Sequence, residues 1–592
     1  MRRADGGRVE PVTYAVDLDA REQHLVAVRM TVPGDATGDG GRLVVATWTP
    51  GSYVVRDYVH HLQRVVARDA DGDPLPLVQT DVSAWELPPV VGPVTIDLEW
   101  YAHDLGVRTN HVDDRHALLV GAATFPAFEP ARHRPHHVTI PGVDDVVALL
   151  PGAGSGPYVA DDHAHLVDAA FEVGPHRTAT VDVRGVEHRV VWAGHGAGLD
   201  VDRLAADLGR LAEAAVDLFD GDLPTPRYTV IAVEGQGGGL EHRDGCVVSF
   251  PPHADGDPAR RRRLLGLLSH EHLHLWNVRR LIPAALVDPP LDRPVLTPSL
   301  WVAEGWTSYY DRVLPARAGV WGVADLLAGL DALRDAVDRT PGADLQSLRD
   351  ASRTAWTKHY RRDENTPNAG TDYYGHGALV AFELDLRLRA ADPDGPGLDG
   401  VLRDLWVRHG RDPDARRVGF TEDDVLAALT RVGGDDLAHR CDELVDRPIR
   451  PDVAPLLGAV GLTLHEDGPA DVPELGLVVG PAETGVAVRT ALRGGAAWRA
   501  GVSGGDRLLA LDGETLGADD LPAFLRARGS GATVTATLAR GARLIERRIV
   551  LDPPRPRLRL AVDPAAGDAA ALAFTRWCGL PHPLSDVPAP TT

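Results

Sequence analysis

Ser269-His270-Glu271-His272-Leu273-His274-Leu275-Trp276-Asn277-Val278 is the stretch near the middle of the chain around which the rest is organised. Histidines four residues apart lie one turn apart on one face of an α-helix, so the imidazoles of His270 and His274 can reach one metal ion. Glu271 stands beside the first of them, where its carboxylate can take a proton from water at the ion. This HExxH pattern is typical of zinc hydrolases and predicts two zinc ligands and a general base.

The residues before the motif predict that it lies on a helix. Asp257 can cap the N-terminus, Pro258 suits the first helical position, and the leucines between 264 and 268 supply apolar turns. The helix is therefore expected to start about three turns before His270. A bare HExxH also arises by chance on surface helices with scattered histidines, so the assignment depends on finding a third ligand.

A second helix is predicted at Thr297–Tyr310, with Thr297 as its N-cap and Pro298 at its first position. Glu304 is a lone acid in this apolar stretch, and a buried acid is costly unless it is paired or binds a metal. A catalytic zinc has three protein ligands and an open position for water. The pattern favours Glu304 as the third ligand over the alternative, a partly exposed helix acid.

These motifs together resemble a known family. HExxH followed by Glu304-Gly-x-Thr-x-Tyr-Tyr310 resembles the gluzincin metallopeptidases, and the run from His270 to Arg280 is similar to the glycyl aminopeptidase family, whose members carry a PDZ domain. The resemblance implies a thermolysin-like, mostly helical catalytic domain with zinc as its cofactor. It also implies activity on peptide N-termini, with Gly or Ala as the first residue.

Composition excludes several other classes. The 592 residues should form about three or four domains, and the net charge of −24 would repel nucleic acid and anionic membranes.

Three distant cysteines argue against a thiolate zinc site and fit a reducing compartment. The first residues lack an apolar run of signal-peptide length, and no segment reaches about 18 apolar residues, so a cytoplasmic protein is expected. Lys358 is the only lysine among many arginines, which indicates a GC-rich bacterial genome.

The region from Val12 to Val183 predicts a β-sandwich-like domain, because short alternating segments are broken by Gly, Pro and Asp. The expected strands are Tyr14–Leu18, Leu25–Val32, Leu43–Trp48, Val94–Tyr101 and Ala179–Val183. Trp48–Tyr58 and Asp104–Arg108 are similar to the family's N-terminal signatures. Arg56 and Arg108 within them either form structural ion pairs, which is the favoured interpretation, or border the active-site cleft.

A glycine run follows the predicted strand Tyr228–Val233. It has neither the full GxGxxG spacing nor a following helix, so a phosphate loop is not expected. Gly238 and Gly239 instead suit an edge strand along which a peptide backbone can lie and pair. The segment resembles the substrate-lining strand of gluzincin aminopeptidases, which implies that Glu241 holds the substrate's α-amino group; the alternative is a loop acid in a surface ion pair.

The third catalytic segment is Tyr374-Gly375-His376-Gly377, where a turn leads into an apolar helix. It resembles the family pattern Tyr-x-Lys-Gly, which implies that the Tyr374 hydroxyl points at the oxyanion. His376 replaces the lysine, and this leaves the lysine's role open. Tyr373, one residue earlier, is the less favoured oxyanion donor, and a purely structural tyrosine is the other alternative.

The C-terminal region follows amphipathic helices at 413–446 and a proline-punctuated linker. The run Ala500–Gly513 looks like part of a PDZ domain with Leu521–Arg528 as its groove helix, although Glu474 in the expected carboxylate loop disfavours an anionic ligand. The predicted domains are an N-terminal β domain (1–184), the catalytic zinc domain (185–454), the PDZ domain (455–555) and a C-terminal tail (556–592) with a helix at Ala565–Trp577.

The sequence thus predicts a multidomain α+β zinc metallopeptidase, an aminopeptidase whose partners are peptide substrates and, at the PDZ domain, a C-terminal peptide. The alternatives are an endopeptidase guided by its PDZ domain and an inactive peptide-binding scaffold. The oligomeric state does not follow from the sequence. The remaining histidine pairs are interpreted as surface residues because they lack a third ligand at helical spacing: His60 and His61, His136 and His137, His163 and His165.

Overall fold

A computed structural model of the protein describes residues 9–194, 199–251, 253–468 and 470–583. Contacts divide the chain into two compact units. The first comprises residues 1–297, 314–321 and 402–421, and the second comprises residues 298–313, 322–401 and 422–592. The predicted tail at 556–592 extends past residue 583 and so lies partly outside the described residues.

The N-terminal part of the first unit is rich in β-strands, as predicted. A seven-stranded sheet has the spatial order Tyr158–Ala160, His136–Thr139, Val12–Asp17, Leu25–Val32, Val94–Tyr101, Leu62–Arg68 and Pro74–Leu75. Two four-stranded sheets have the orders Val146–Ala148, Ala170–Val173, Ala117–Val120, His111–Val112 and Ala127–Phe128, Gly41–Val44, Ala84–Leu87, Val78–Asp81. Alternate residues along the longer strands are buried, since one face of each strand covers the core.

The five strands expected from the sequence are all present. Leu25–Val32 and Val94–Tyr101 have the predicted ends, and the ends of the other three shift by a few residues. The largest shift is at the third strand, which ends at Val44 rather than Trp48. Trp48 instead lies in a loop, where its indole N–H donates to the carbonyl groups of Pro290 and Arg293. Short helical segments between the strands are Arg21–Gln23, Tyr58–His61, Gly121–Thr124, Glu129–Ala131 and His163–Val167.

Two of the histidine pairs predicted to lie at the surface contain buried residues, so that prediction is wrong for them. The His136 ring is stacked on Tyr14, and His163 Nε2 lies 3.0 Å from the Phe125 carbonyl oxygen. Burial lowers the pKa of His136 to about 3 and that of His163 to about 4, so both rings are neutral. The strand Val12–Asp17, which supplies Tyr14, is remote in sequence, and for this reason local patterns do not reveal the burial.

A five-stranded mixed sheet carries the candidate site of the first unit. Its spatial order is Arg177–Val183, Val186–Trp192, Arg227–Glu234, Gly245–Phe250 and Gly238–His242. The second to fourth strands are parallel, and the last is antiparallel to its neighbour and forms the edge. This last element, the edge strand, confirms the predicted edge position of the glycine run.

The HExxH motif lies at the end of the helix Pro258–Leu273, here called the motif helix. The Asp257 side chain accepts hydrogen bonds from the backbone N–H groups of Ala259 and Arg260, at 2.8 and 3.0 Å, and Pro258 is the first helical residue. The predicted cap is therefore confirmed. A buried ion pair between Arg261 and Asp207 joins this helix to the helix Val201–Leu218. The unit also contains Ala254–Gly256, Ala284–Leu286, Trp406–Gly410 and Pro413–Arg416.

The second predicted helix begins later than expected. It starts with a π-helical segment at Trp301–Trp306, which continues as the α-helix Thr307–Arg317. The first hydrogen bonds run from the N–H groups of Val302 and Ala303 to the Ser299 carbonyl oxygen, at 3.1 Å each, so Thr297 is not the cap. Capping rules identify residues that accept hydrogen bonds from the first N–H groups of an α-helix, and they do not predict a π-helical segment. Such segments often occur at functional positions.

The second unit is otherwise mostly helical in its first part. Its helices, two of which share residues with the first unit, are Thr307–Arg317, Val323–Asp338, Pro341–Asp344, Leu348–Arg353, Ala355–His359, Thr366–Ala369, Gly375–Ala391, Leu398–Leu405, Glu422–Gly433, Asp435–Asp446 and Ala454–Val460. The helix Gly375–Ala391, here called the tyrosine helix, is buried along almost its whole length. No helix in the described part of the chain has both the length and the apolarity to cross a membrane.

The last part of the second unit contains a β-rich segment. Its main sheet has the order Leu477–Pro481, Val486–Ala491, Arg507–Leu511, Thr533–Arg540 and Arg543–Val550, with Glu514–Thr515 paired to the third strand. The helices Ala496–Arg499 and Leu521–Arg528 accompany it. A two-stranded sheet joins Leu462–Glu466 to Leu558–Val562, and the final helix is Asp568–Cys578. The PDZ assignment and the boundaries of the four domains stay predictions.

Candidate active site

The two motif histidines lie on one face of the motif helix, as their spacing predicts. The ring centroids of His270 and His274 are 4.6 Å apart, and the rings are nearly perpendicular. His274 Nδ1 lies 2.7 Å from the Asn277 carbonyl oxygen, and because this oxygen can only accept a hydrogen bond, Nδ1 carries the hydrogen. The Nε2 atom of His274 is then the one that carries a lone pair, which is the arrangement of a metal-ligating histidine.

Glu271 points from the motif helix toward the edge strand and stays close to His274. A Cβ atom placed on Gly239 would lie 2.0 Å from Glu271 Oε1, so the carboxylate rests directly on the strand backbone. The side chain is buried, and its Oε2 has no hydrogen-bond partner among the described residues. Burial raises the pKa of Glu271 to about 7, against the opposing charges of His270 and His274. A carboxylate of that kind is suited to accepting and returning a proton.

This contact changes the interpretation of the glycines. The sequence predicts that Gly239 lacks a side chain so that a peptide backbone can lie beside it. At this position the space is taken by the Glu271 carboxylate, and any larger residue would overlap it. Gly238 differs, because its φ of 121° lies in the region that favours glycine. The two glycines thus serve the geometry of the strand and of the general base candidate.

Glu241 lies two residues after Gly239 on the edge strand, so its side chain projects from the face of the strand that Glu271 contacts. One ligand atom each from Glu241, Glu271 and His274 lie within 4.8 Å of one another. Glu241 is 3% exposed, and its Oε1 is buried with no hydrogen-bond partner among the described residues. A Cβ on Gly51 would lie 2.4 Å from that oxygen, so the Gly51 loop closes directly over the carboxylate. The charge of Arg279 offsets part of the cost of burying this carboxylate, and a cationic ligand at the unpartnered oxygen would offset more of it.

Arg108 fixes the edge strand from outside the sheet. Its Nη2 donates to the Gly239 carbonyl oxygen at 2.6 Å, and its charge lowers the pKa of Glu271. Of the two roles considered for Arg108, the structure supports the less favoured one, since the side chain borders the candidate site. The residue itself is held by Tyr58, whose hydroxyl donates to the Arg108 carbonyl oxygen at 2.8 Å.

Asp168 is a residue of this site that sequence reasoning missed. Its carboxylate lies 2.6 Å from Arg279 Nη2 and accepts a hydrogen bond from the Arg243 backbone N–H at 2.7 Å. Burial alone would raise its pKa, but Arg279 and His242 hold the pKa at about 2, so the side chain is an anion. It anchors the end of the edge strand to the segment after the motif helix. The partners are distant in sequence, so no local signal identifies it.

In the second unit, Glu304 lies in the π-helical segment and is 1% exposed. The next residue, Gly305, packs against the tyrosine helix: a Cβ there would lie 2.7 Å from the Gly377 Cα. A Cβ on Gly377 would in turn lie 2.9 Å from the Trp301 carbonyl oxygen. The two glycines allow the backbones to approach closely, which brings Glu304 near the start of the tyrosine helix.

Tyr374 is the residue that precedes the tyrosine helix. Its hydroxyl lies 3.0 Å from the Tyr360 hydroxyl, and its side chain is half-buried, whereas Tyr373 is fully buried. Burial raises the pKa of Tyr374 well above its usual value, and the charge of Glu304 raises it further. The hydroxyl is therefore a proton donor at neutral pH. Tyr360 is a second residue that the sequence motifs did not indicate.

His376, the second residue of the tyrosine helix, has a structural role. Its Nδ1 lies 2.9 Å from the Thr371 hydroxyl, and its Nε2 lies 3.2 Å from the Ile449 carbonyl oxygen. Burial lowers its pKa to about 4, so the ring is neutral at physiological pH. The histidine therefore does not supply the positive charge that a lysine would supply at this position.

Residues 263–380 match the sequence profile of the M61 glycyl aminopeptidase family, and residues 13–175 match that of the peptidase M61 N-terminal domain. The chain contains peptidase M61 domains. No curated protein matches the sequence. Among solved structures, an aminopeptidase N family protein from Idiomarina loihiensis is similar at 26% identity and a TM-score of 0.89, over 96% of this chain and 100% of that one. The prediction of a multidomain α+β peptidase is thereby confirmed.

An M1 zinc metallopeptidase from Deinococcus radiodurans is similar over 75% of this chain and 95% of that one. Its identity is 15% and its TM-score 0.46, and at that level the likeness carries no inference for this chain.

The contact between Gly239 and Glu271 predicts a coupled effect on stability. Gly239→Ala should lower the free energy of unfolding in the wild type by about 1 to 3 kcal/mol more than in a Glu271→Ala background, because the overlap needs the carboxylate. Urea denaturation of the four proteins of this cycle measures the difference. Gly256→Ala, at a position where an added Cβ meets nothing within 4 Å, is the matched control. Equal losses in both backgrounds would contradict the contact.

Proposed function

We propose that this protein is a zinc-dependent aminopeptidase that removes N-terminal residues from peptides. The observation that carries the proposal is the pair of buried carboxylates, Glu271 and Glu241, placed side by side on the motif helix and the edge strand. Hydrolysis requires one of them as a base, and the second is placed to bind a cation beside the reacting bond. The match to M61 domains supports the same class of reaction.

We propose that His270, His274 and Glu304 hold the zinc ion. Two imidazoles and a carboxylate are a donor set that zinc takes in catalytic sites, and the Asn277 contact fixes the tautomer of His274 for this role. All three residues lie within the segment that matches the M61 family. When bound, the ion supplies Lewis acidity, which makes a water more acidic and polarises the scissile carbonyl group.

The protein's own residues then move the protons. Glu271 accepts a proton from the attacking water at its carboxylate and delivers it to the leaving amine. The Tyr374 hydroxyl donates a hydrogen bond to the carbonyl oxygen as negative charge develops there. Tyr360 positions the Tyr374 hydroxyl through the hydrogen bond between them.

The edge strand supplies the substrate contacts. The substrate's α-ammonium group pairs with Glu241, whose Oε1 has no other hydrogen-bond partner among the described residues. The peptide backbone lies along the edge strand at Gly238 and Gly239, where Arg108 already binds the Gly239 carbonyl oxygen. Arg108 and the Gly51 loop keep this strand and the carboxylate in place. A preference for Gly or Ala at the first position rests on the family likeness alone.

The alternative reading is an endopeptidase in which a PDZ domain at 455–555 selects peptide C-termini. One observation favours a peptide site there: Glu474, the acid in the expected carboxylate loop, lies 3.4 Å from Arg555, which offsets its charge. An inactive scaffold is disfavoured because binding alone requires neither a general base nor a complete ligand set.

The first prediction separates metal binding from catalysis. His274→Ala and Glu304→Ala should each lower the zinc content by about one ion per chain, because a three-ligand site has no spare ligand. Glu271→Gln should keep the zinc and lose several orders of magnitude in turnover. Mass spectrometry of dialysed proteins and an aminoacyl-fluorophore assay measure the two effects. Undiminished zinc in His274→Ala, or near-normal turnover in Glu271→Gln, would contradict the assignment.

The second prediction concerns the oxyanion donor. Tyr374→Phe should lower kcat by about 100-fold to 1,000-fold with KM little changed, which is the scale for one such donor. Tyr373→Phe is the matched control, since its fully buried hydroxyl donates to Tyr360 at 3.3 Å. A large loss in Tyr373→Phe with none in Tyr374→Phe would show that Tyr373, and not Tyr374, is the oxyanion donor.

The third prediction tests the amine anchor and thus the aminopeptidase reading. A charge-assisted hydrogen bond to Glu241 contributes about 1.5 to 3 kcal/mol, so Glu241→Ala should weaken cleavage of free-amine substrates by roughly 10-fold to 100-fold. N-acetylated substrates should be poor for the wild type, because they leave the carboxylate desolvated without a partner. Glu187→Ala, on another strand of the same sheet, should cleave like the wild type.

Zinc content should be unchanged in Glu241→Ala. If the wild type cleaves the free and the acetylated substrate equally, Glu241 is no amine anchor and the endopeptidase alternative takes precedence.

A further inference from the structure

We propose that His111, Asp113 and His116 form a second, structural metal site that binds a transition dication such as zinc. One ligand atom from each of these residues lies within 4.8 Å of the others. His111 begins the strand His111–Val112, and Asp113 and His116 lie on the short connection from it to the strand Ala117–Val120, in the N-terminal β-rich part. This site is separate from the proposed catalytic residues and does not depend on the proposed function.

The spacing of the first two groups is that of neighbouring ligands. His111 Nε2 and Asp113 Oδ2 are 3.2 Å apart. Ligands bound tetrahedrally to zinc at about 2.0 to 2.1 Å lie about 3.3 Å from one another. These two atoms therefore already stand at the separation that one ion would impose, and the side chains need little movement to bind it.

The outer atoms of Asp113 and His116 are held by other partners, which leaves their inner atoms for an ion. Asp113 Oδ1 accepts hydrogen bonds from the backbone N–H groups of Arg115 and His116, at 2.8 and 2.9 Å. His116 Nδ1 lies 2.9 Å from Glu172 Oε1, so its Nε2 is the nitrogen available to a metal. A carboxylate behind a histidine is the usual arrangement around a metal ligand, because it fixes the ring and raises its basicity.

Two buried polar atoms beside the three ligands also have no hydrogen-bond partner among the described residues. His111 is 7% exposed, and its Nδ1 has no hydrogen-bond partner among the described residues. Glu172 is fully buried, and its Oε2 is also without a partner there. The Glu172 carboxylate pairs with His116 Nδ1. An ion on Nε2 of the same ring would make the Nδ1–H group a stronger donor to this carboxylate.

The donor set selects the kind of ion. Two imidazoles and one carboxylate suit zinc, cobalt or nickel, whereas magnesium and calcium prefer oxygen ligands throughout. His103 lies beside the site, with its ring 5.8 Å from that of His111, and it is exposed. Asp113 is half-buried and its neighbour Asp114 is exposed, so an ion can enter from solvent.

The position of the site gives the ion a structural role. Arg108, three residues before His111, donates to the Gly239 carbonyl oxygen of the edge strand. An ion that ties His111 to His116 fixes the loop that carries Arg108. Loss of this ion should therefore loosen the contact that positions the edge strand.

The test uses full-length protein in a His274→Ala background, so that the proposed catalytic site no longer contributes. Equilibrium dialysis with zinc should give one ion per chain in His274→Ala and none in His274→Ala/His116→Gln. Asp113→Asn in the same background should weaken binding strongly, while Asp114→Asn, the adjacent exposed acid, should not. Glu172→Gln should weaken binding by about 10-fold to 100-fold, the usual effect of a partner behind a ligand.

Circular dichroism and elution volume establish that each variant is folded. A folded His274→Ala protein that binds no zinc would overturn the proposal, as would zinc binding unchanged by both His116→Gln and Asp113→Asn. If only the catalytic assignment is wrong, the single substitution His116→Gln, with His270 and His274 intact, removes all bound zinc. If that assignment is right, the same variant keeps one ion, so the two failures are distinguishable.

Discussion

The contact between the Glu271 carboxylate and the backbone of Gly239 is the constraint on which the first unit depends. It places the motif helix against the edge strand at a distance that no side chain larger than hydrogen at position 239 would permit. The same strand then presents Glu241 beside Glu271, and the Gly51 loop covers it. Two neighbouring buried carboxylates oppose folding, and such sites are retained where function needs them.

The second unit uses the same device, a close approach of two backbones at glycine. Gly305 and Gly377 bring the π-helical segment against the tyrosine helix, and Glu304 and Tyr374 are thereby held near one another. The first unit thus holds two histidines and two buried carboxylates, and the second holds a buried acid and a protonated tyrosine.

What the sequence could predict is local. The motif helix follows its cap, the edge strand follows its glycines, and Tyr374 follows a turn before an apolar helix, and all three are where the patterns place them. The late, π-helical start of the Glu304 helix was not predicted, because capping rules describe α-helices. Arg108, Asp168 and Tyr360 act on residues distant in sequence, so only the fold reveals their contacts.

We propose that His270, His274 and Glu304 bind one zinc ion. The most direct test is a crystal structure of the full-length protein grown with zinc, with diffraction data collected on both sides of the zinc absorption edge. We expect an anomalous peak bonded to Nε2 of both histidines and to the Glu304 carboxylate. A peak that lacks Glu304, or the absence of any peak at the two histidines, would contradict it.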